Sequence, residues 1–239
     1  MGLAVRVIPT LLAKGKQLVK GQRFNPNRVV GHVQQAARVH QARGVDELCI
    51  LDVGATPAGR GPNFDAIEAL TSDCFMPLTV GGGVRNLHDV EHLLRAGADK
   101  VAIKSAYYDR FEFLDECSYR FGCQAIVGVL DVKDEHRADP TVRALAMDME
   151  NRGAGEILLT AMDREGTMEG YDLQLIHDVA HAVDIPVIAH GGCSGYADML
   201  AAIQAGASAV AAGALFQFTD ATPRGAALYL AEHGVEVRL

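Results

Sequence analysis

The chain has 239 residues, 49% of them hydrophobic and 22% charged, which is enough apolar matter for one large core and rules out disorder as the main theme. Its 22 basic against 30 acidic residues leave a net charge of −8, arguing against nucleic acid or a membrane surface as partner, since both select basic stripes. No apolar run reaches membrane-spanning length, no signal-like segment opens the chain, and the five cysteines form no C-x-x-C pair, so a cytoplasmic protein with reduced, mostly packed thiols is expected.

In chain order, short runs rich in Val, Ile and Leu predict strands at Val5–Leu12, Leu48–Val53, Leu78–Val80, Val101–Ile103, Ala125–Leu130, Ile157–Thr160, Val187–Ala189 and Ala209–Ala212. Helical periodicity fills the gaps at Asn27–Arg43, Asn63–Leu70, His88–Ala96, Phe111–Phe121, Val142–Arg152, Leu173–Val183, Ala197–Ala205 and Arg224–His233. Uninterrupted apolar strands alternating with helices predict a parallel sheet covered on its outer side. Eight such units in a single domain, residues 1–239, fit an α/β fold of the (β/α)8 TIM barrel type; a doubly wound sheet is the structural rival.

An internal repeat favours the barrel. Arg43-Gly44-x-x-Glu47 recurs as Arg152-Gly153-x-x-Glu156, and the same 109-residue offset maps Pro77 onto Pro186, Gly82-Gly83 onto Gly191-Gly192, Asp89 onto Asp198 and Ala96-Gly97-Ala98 onto Ala205-Gly206-Ala207. A repeat of about half the chain, four strands each, describes two half-barrels, about 1–122 and 123–239.

Ligands of such barrels bind where the strands end. Gly82-Gly83 ends the third strand and Gly191-Gly192 the seventh; each is followed one strand later by a small-residue turn, at Ser105 and at Gly213-Ala214. Glycine lets backbone N–H groups approach a phosphate, so the two halves would grip a substrate with a phosphate at each end; the alternative is that these glycines only make tight turns. The second half offers Ala214 where the first has the Ser105 hydroxyl. Asp131 ends the fifth strand as a candidate acid or base, or simply as a solvated or capping carboxylate, while Leu12 stands at the matching end of the first strand. Further polar candidates, Lys20, Asp52, Asp163, Arg164 and Glu165, are read as lying on loops after strands. At the opposite end, Arg6, Glu47, Lys100 and Glu156 stand at or just before the starts of strands one, two, four and six; they are either surface charges or, if turned inward, a neutral ring closing the barrel floor.

Nothing in the sequence asks for a metal or a cofactor. His88-x-x-Glu91-His92 matches a zinc-protease pattern but falls on an outer helix, as do His177 and His181, and Cys193 reads as packing.

The runs Arg6-Val7-Ile8-Pro9, Thr79-Val80-Gly81-Gly82-Gly83, Arg152-Gly153-Ala154-Gly155-Glu156-Ile157-Leu158-Leu159-Thr160, Asp163-Arg164-x-Gly166-Thr167, Gly170-Tyr171-Asp172 and the ending His233-Gly234-Val235-x-Val237-Arg238-Leu239 resemble the cyclase subunit of imidazole glycerol phosphate synthase over nearly the whole chain. The resemblance implies a barrel that docks a glutaminase on its strand-start face and passes ammonia through a charged gate to a phosphate-anchored substrate. Arg6, Glu47, Lys100 and Glu156 match that gate, and Asp99 and Gln124 match positions near the partner interface. Lys20, Asp52, Gly83, Asp131, Gly166 and Gly192 match active-site or phosphate-site positions. Against the family pattern, its first catalytic aspartate is Leu12, its strand-four asparagine Lys104, its strand-six aspartate Glu165 and its strand-seven serine His190.

The Leu11-Leu12 pair and Cys74-Phe75-Met76-Pro77 resemble a paralogous branch associated with amidination of surface-polysaccharide sugars, as in lipopolysaccharide, where an ATP-dependent amidotransferase is the further partner and a phosphorylated or nucleotide-sugar molecule the acceptor. Three readings follow: an ammonia-conducting subunit for sugar amidination with Asp131, Lys20 and Glu165 as its reactive groups, a true histidine-pathway cyclase with a rearranged acid, and a barrel that only activates the glutaminase.

Overall fold

Parallel strands with both faces covered need apolar residues at every position, and the eight predicted runs all form them. A computed structural model describes residues 4–238, apart from the side chains of Pro26 and Asn27; Met1–Leu3 and Leu239, which belong to the predicted domain and the terminal motif, lie outside the described residues. The chain runs β1 (Arg6–Lys14), β2 (Gln17–Gln22), β3 (Asn25–His32), α1 (Val33–Ala42), β4 (Leu48–Asp52), α2 (Phe64–Thr71), β5 (Leu78–Gly81), α3 (Leu87–Arg95), β6 (Lys100–Ile103), α4 (Ser105–Asp109) and α5 (Phe113–Phe121). It continues with β7 (Ile126–Val132), α6 (Pro140–Asn151), β8 (Glu156–Ala161), α7 (Leu173–Ala180), β9 (Val187–His190), α8 (Tyr196–Gln204), β10 (Ala209–Ala212), α9 (Ala214–Phe218) and α10 (Pro223–Glu232).

Strands β1, β4, β5, β6, β7, β8, β9 and β10 pair in parallel in that order, and β10 returns to pair with β1 through Arg6–Ala209 to Pro9–Ala212. That closure makes a (β/α)8 barrel and disposes of the doubly wound alternative. Alternate residues face opposite sides of the wall. Ile8, Cys49, Ala102, Val127, Val129, Leu158, Ile188, Ala209 and Ala211 fill the lumen, while Val7, Leu11, Ile50, Val101, Leu130 and Leu159 pack outward under the helices.

Several helix starts are written locally. The side chains of Asn63, Asn86, Asp139, Asp172 and Thr222 each accept a backbone N–H of the first turn, and Pro140 and Pro223 follow two of these caps directly.

The prediction of a helix over Asn27–Arg43 is corrected. Asn25–His32 is a strand, paired antiparallel with β2 in a hairpin that projects from the end of β1, and only Val33–Ala42 is helical. Lys20 therefore lies on strand β2 and not on a loop. The hairpin turns through Arg23 and Phe24, both left-handed at φ 52° and 59°, the backbone of a tight two-residue hairpin turn in residues that do not prefer it. Among the described residues, no helix is long and apolar enough to cross a membrane.

Candidate active site

The two ends of the barrel carry different chemistry. At the strand-start end, Arg6, Glu47, Lys100 and Glu156 all turn inward and meet. Arg6 pairs with Glu47 at 2.5 Å and with Glu156 at 2.7 Å, and the Lys100 Nζ sits 3.0 Å from a carboxylate oxygen of each. Two cations alternating with two carboxylates make a formally neutral ring, and the Thr79 hydroxyl donates to Glu47 at 2.6 Å. Burial by itself would raise the Glu47 pKa, but Lys100, Arg6 and Thr79 together hold it below the ordinary carboxylate value. Alternate charges around a shared floor are how such groups persist out of water. Asp99 and Gln124 are exposed at this same end, just before β6 and just before β7, with Asp99 accepting the Leu78 N–H at 2.8 Å.

At the strand-end side a cavity of about 730 Å³ opens, lined by Leu12, Phe24, Asp52, Gly82, Gly83, Lys104, Ser105, Asp131, Thr160, Glu165 and His190, among others. Small-molecule sites commonly span roughly 300–1,000 Å³. The predicted residues Asp131, Glu165, Gly82, Gly83 and Ser105 thus share one chamber. Next to it, Gly166, Gly191, Gly192, Gly213 and Ala214 line a second, tight recess with Glu165 and His190. Asp163 and Arg164 lie in a short 3-10 turn after β8 and face elsewhere: Asp163 accepts the Asp134 N–H, and Arg164 donates to the Gly170 and Tyr171 carbonyls.

Gly82 and Gly192 are required by space as well as by φ. A Cβ on Gly82 (φ 105°) would stand 2.3 Å from the Asp52 carbonyl, and one on Gly192 (φ 100°) 2.3 Å from the Gly170 carbonyl. Neither neighbour can retreat, because both are main chain. Gly82→Ala is expected to lower unfolding free energy by about 3 kcal/mol, checked by denaturant titration, from left-handed strain plus the clash.

Asp131 does not stand free. Its carboxylate is paired at 2.5 Å with Lys104, whose ammonium also lies 5.7 Å from the Phe24 ring centroid at the hairpin tip. Asp52 is held from the side by both nitrogen–oxygen contacts of Arg60, each 2.7 Å, and by the Gly54 N–H. Leu12, 7% exposed, presents hydrocarbon to the chamber. His190 is buried, its Nδ1 3.3 Å from the Thr160 hydroxyl; burial and the nearby Lys20 push its pKa down to about 3, so the imidazole is neutral. Lys20 and Glu165 are both buried, 3.5 Å apart. Burial lowers the Lys20 pKa and raises that of Glu165, each against the other's charge. Burial pushes the Cys193 thiol up to about 12, so it is a packed thiol and not a thiolate.

Lys104 and Arg60 are the residues whose roles sequence reasoning misses. The signals for Lys104 are its place directly before Ser105, where the repeat has Gly213, and its standing where the family pattern has an asparagine; neither shows its pairing with Asp131. The outer-helix histidines stack with neighbours: His92 on Phe64, and His177 on His181.

Residues 6–222 match the histidine biosynthesis protein family. Over 99% of both chains, the sequence is 40% identical to a Campylobacter jejuni protein provisionally named imidazole glycerol phosphate synthase subunit hisF2. It is 38% identical, again over 99% of each chain, to the imidazole glycerol phosphate synthase subunit HisF of Dictyoglomus thermophilum. Closed barrel, twin glycine turns and full-length relatives agree: the chain belongs to the histidine biosynthesis protein family, among its imidazole glycerol phosphate synthase subunits.

Proposed function

We propose that this barrel is the synthase-side subunit of a glutamine-dependent complex in which ammonia, released by a glutaminase docked on the strand-start face, passes the Arg6–Glu47–Lys100–Glu156 ring and travels up the lumen. It emerges beside a phosphorylated or nucleotide-sugar acceptor held between Gly82, Gly83 and Ser105 on one side and Gly166, Gly191, Gly192, Gly213 and Ala214 on the other. The nitrogen serves amidination of surface-polysaccharide sugars, with an ATP-dependent amidotransferase completing the transfer. Asp99 and Gln124 would contact the glutaminase.

The observation that carries this reading is a contrast between the two ends. The charged ring at the floor is complete, whereas the chamber above it has Leu12 where the family's acid would stand and a remaining Asp131 neutralised by Lys104. Ring closure needs a proton donor and a proton acceptor at the reacting atoms; a methyl-ended side chain supplies neither. The lumen between is lined by uncharged groups, the small Cys49, Ala102, Ala209 and Ala211 beside the larger Ile8, Val127, Val129, Leu158 and Ile188, and by the buried Thr10 hydroxyl, which lacks a hydrogen-bond partner. Such walls suit a small neutral nucleophile. In this reading Asp131, Lys20 and Glu165 orient the acceptor and manage its charge.

The test is nitrogen transfer by the reconstituted complex. Lys100→Met is expected to cut glutamine-dependent transfer while leaving transfer from added ammonium salt intact, with glutaminase turnover measured in parallel. Formation of imidazole glycerol phosphate at the pace of glutamine hydrolysis refutes the reading in favour of a true cyclase. Unchanged glutamine-dependent transfer in Lys100→Met leaves only glutaminase activation.

A further inference from the structure

The 109-residue repeat aligns Lys104 with Gly213, so the two halves solve the same position differently. In the first half the lysine grows from the strand end itself. In the second, the position is glycine, and a lysine arrives from another element: a Cβ on Gly213 would stand 2.1 Å from the Nζ of Lys20, carried in by β2. The absence of a side chain at 213 is what admits that ammonium. Lys20 is 2% exposed, and its Nζ has no hydrogen-bond partner; its nearest counter-charge is the Glu165 carboxylate at 3.5 Å, too long for a good charge-assisted bond.

Glu165 lines the same recess as Gly166, Gly191, Gly192, Gly213 and Ala214, and the free space left there is about 10 Å³. That is room for about one water at most. A tetrahedral oxyanion does not fit while Glu165 stays. The recess thus has the parts of an anion site, a buried cation and close glycine main chain, with one of the protein's own carboxylates against it. Glu165 is also tied to the hairpin, since its carbonyl accepts the Arg23 N–H at 2.8 Å at the strained turn.

We propose that Glu165 is a resident occupant of the second oxyanion site, displaced from Lys20 when a phosphate or sulfate group of the substrate binds, so that its carboxyl turns further into the main chamber, whose wall it already lines, when that site is loaded. The inference rests on the reading of the second glycine recess as an oxyanion site, and deepens it. Filling the recess moves the carboxyl toward the wall it already shares with His190, Thr160 and Asp131. A substrate group at one end would thereby control which polar groups face the acceptor at the centre.

The experiment uses inorganic sulfate, which keeps its charge near neutrality, titrated into the full chain by calorimetry at pH 7. Glu165→Gln is expected to bind sulfate about ten-fold more tightly than the wild type, the effect of removing one charged competitor. Glu165→Asp, which withdraws the carboxylate by one methylene while keeping its charge, is expected to tighten binding in the same direction by less, and so tests the idea even if the glutamine variant folds poorly. Lys20→Met is expected to abolish the sulfate binding that responds to Glu165 in either background, and to leave any binding at Gly82, Gly83 and Ser105 as it is. Sulfate affinity that is unchanged or weaker in both Glu165 variants overturns the displacement, while binding that depends on Lys20 still upholds the oxyanion site. Tightening that survives Lys20→Met puts the sulfate elsewhere and overturns the proposal. No sulfate binding in any variant overturns the site and the displacement together.

Discussion

Glu47→Ala lowers the unfolding free energy of the barrel by about 3 kcal/mol and its melting temperature by roughly 10 °C, a larger effect than any surface ion pair produces. Glu47 is the most buried member of the floor ring and touches Arg6, Lys100 and Thr79. Truncating it leaves two cations sharing Glu156 alone, and the cost of an unmatched charge out of water exceeds the worth of the pair itself. The pH dependence follows from the depressed folded pKa. A carboxylate whose pKa is lower folded than unfolded contributes its full share of stability above the unfolded value, about 4.3, and loses it as pH falls through the folded value. Wild type and Glu47→Ala should therefore differ most near neutrality and converge in acid below about pH 4. Melting curves across that range measure it; a constant gap down to low pH would show that lost packing, not lost charge, destabilises the variant.

The second large effect is a gain. Leu12→Asp alone should not produce a working cyclase, because the new carboxylate enters a chamber where Lys104 already neutralises Asp131. Two carboxylates around one ammonium leave neither free to exchange a proton at the reacting atoms. Leu12→Asp with Lys104→Asn removes the neutralising cation and sets two carboxyls around the same cavity, the arrangement that general acid–base work needs. The double variant is expected to raise ammonia-dependent imidazole glycerol phosphate formation by about 10²-fold or more over the wild type, the scale of one positioned acid or base. Equal activity in the single variant would show that Lys104 does not restrain Asp131. No gain in the double variant would assign the loss to His190 or Glu165.

Both expectations depend on pairings that the sequence shows unevenly. The wall of the barrel is plain in it, because parallel strands with two covered faces must read as apolar runs, and Ile126–Leu130 or Val187–Ala189 can hardly read otherwise. The glycine turns are visible through the repeat. The hairpin is not: Gln17–His32 lacks the polar–apolar alternation of a half-buried strand, its few apolar residues outside the turn falling in the adjacent pairs Leu18-Val19 and Val29-Val30, and its Arg23-Phe24 turn lacks the Asn or Gly that marks such a bend. The inward facing of the floor ring is suggested only by the match to the family motifs, since a charged residue at a strand start reads the same whether it points in or out. Lys104–Asp131 and Lys20–Glu165 are beyond reach for plainer reasons. Lys104 and Asp131 meet across the ends of the neighbouring strands β6 and β7, a pairing of side chains that strand order alone does not reveal, whereas Lys20 and Glu165 are far apart in the chain and meet only because the hairpin folds over the end of β8.

The lumen is a small hydrophobic cluster of nine buried residues, three of them alanine, while the layer between wall and helices holds most of the large buried side chains, among them Leu93, Leu114, Phe113, Tyr107 and Met149. Cohesion in this protein therefore resides in its outer sleeve. Residues at the centre can change character without threatening the fold, as long as each new charge finds a counterpart. Leu12, Lys104 and His190 read as edits of that kind, and a barrel so constructed can be led to new reactions by rewriting its inside while its outside stays as it is.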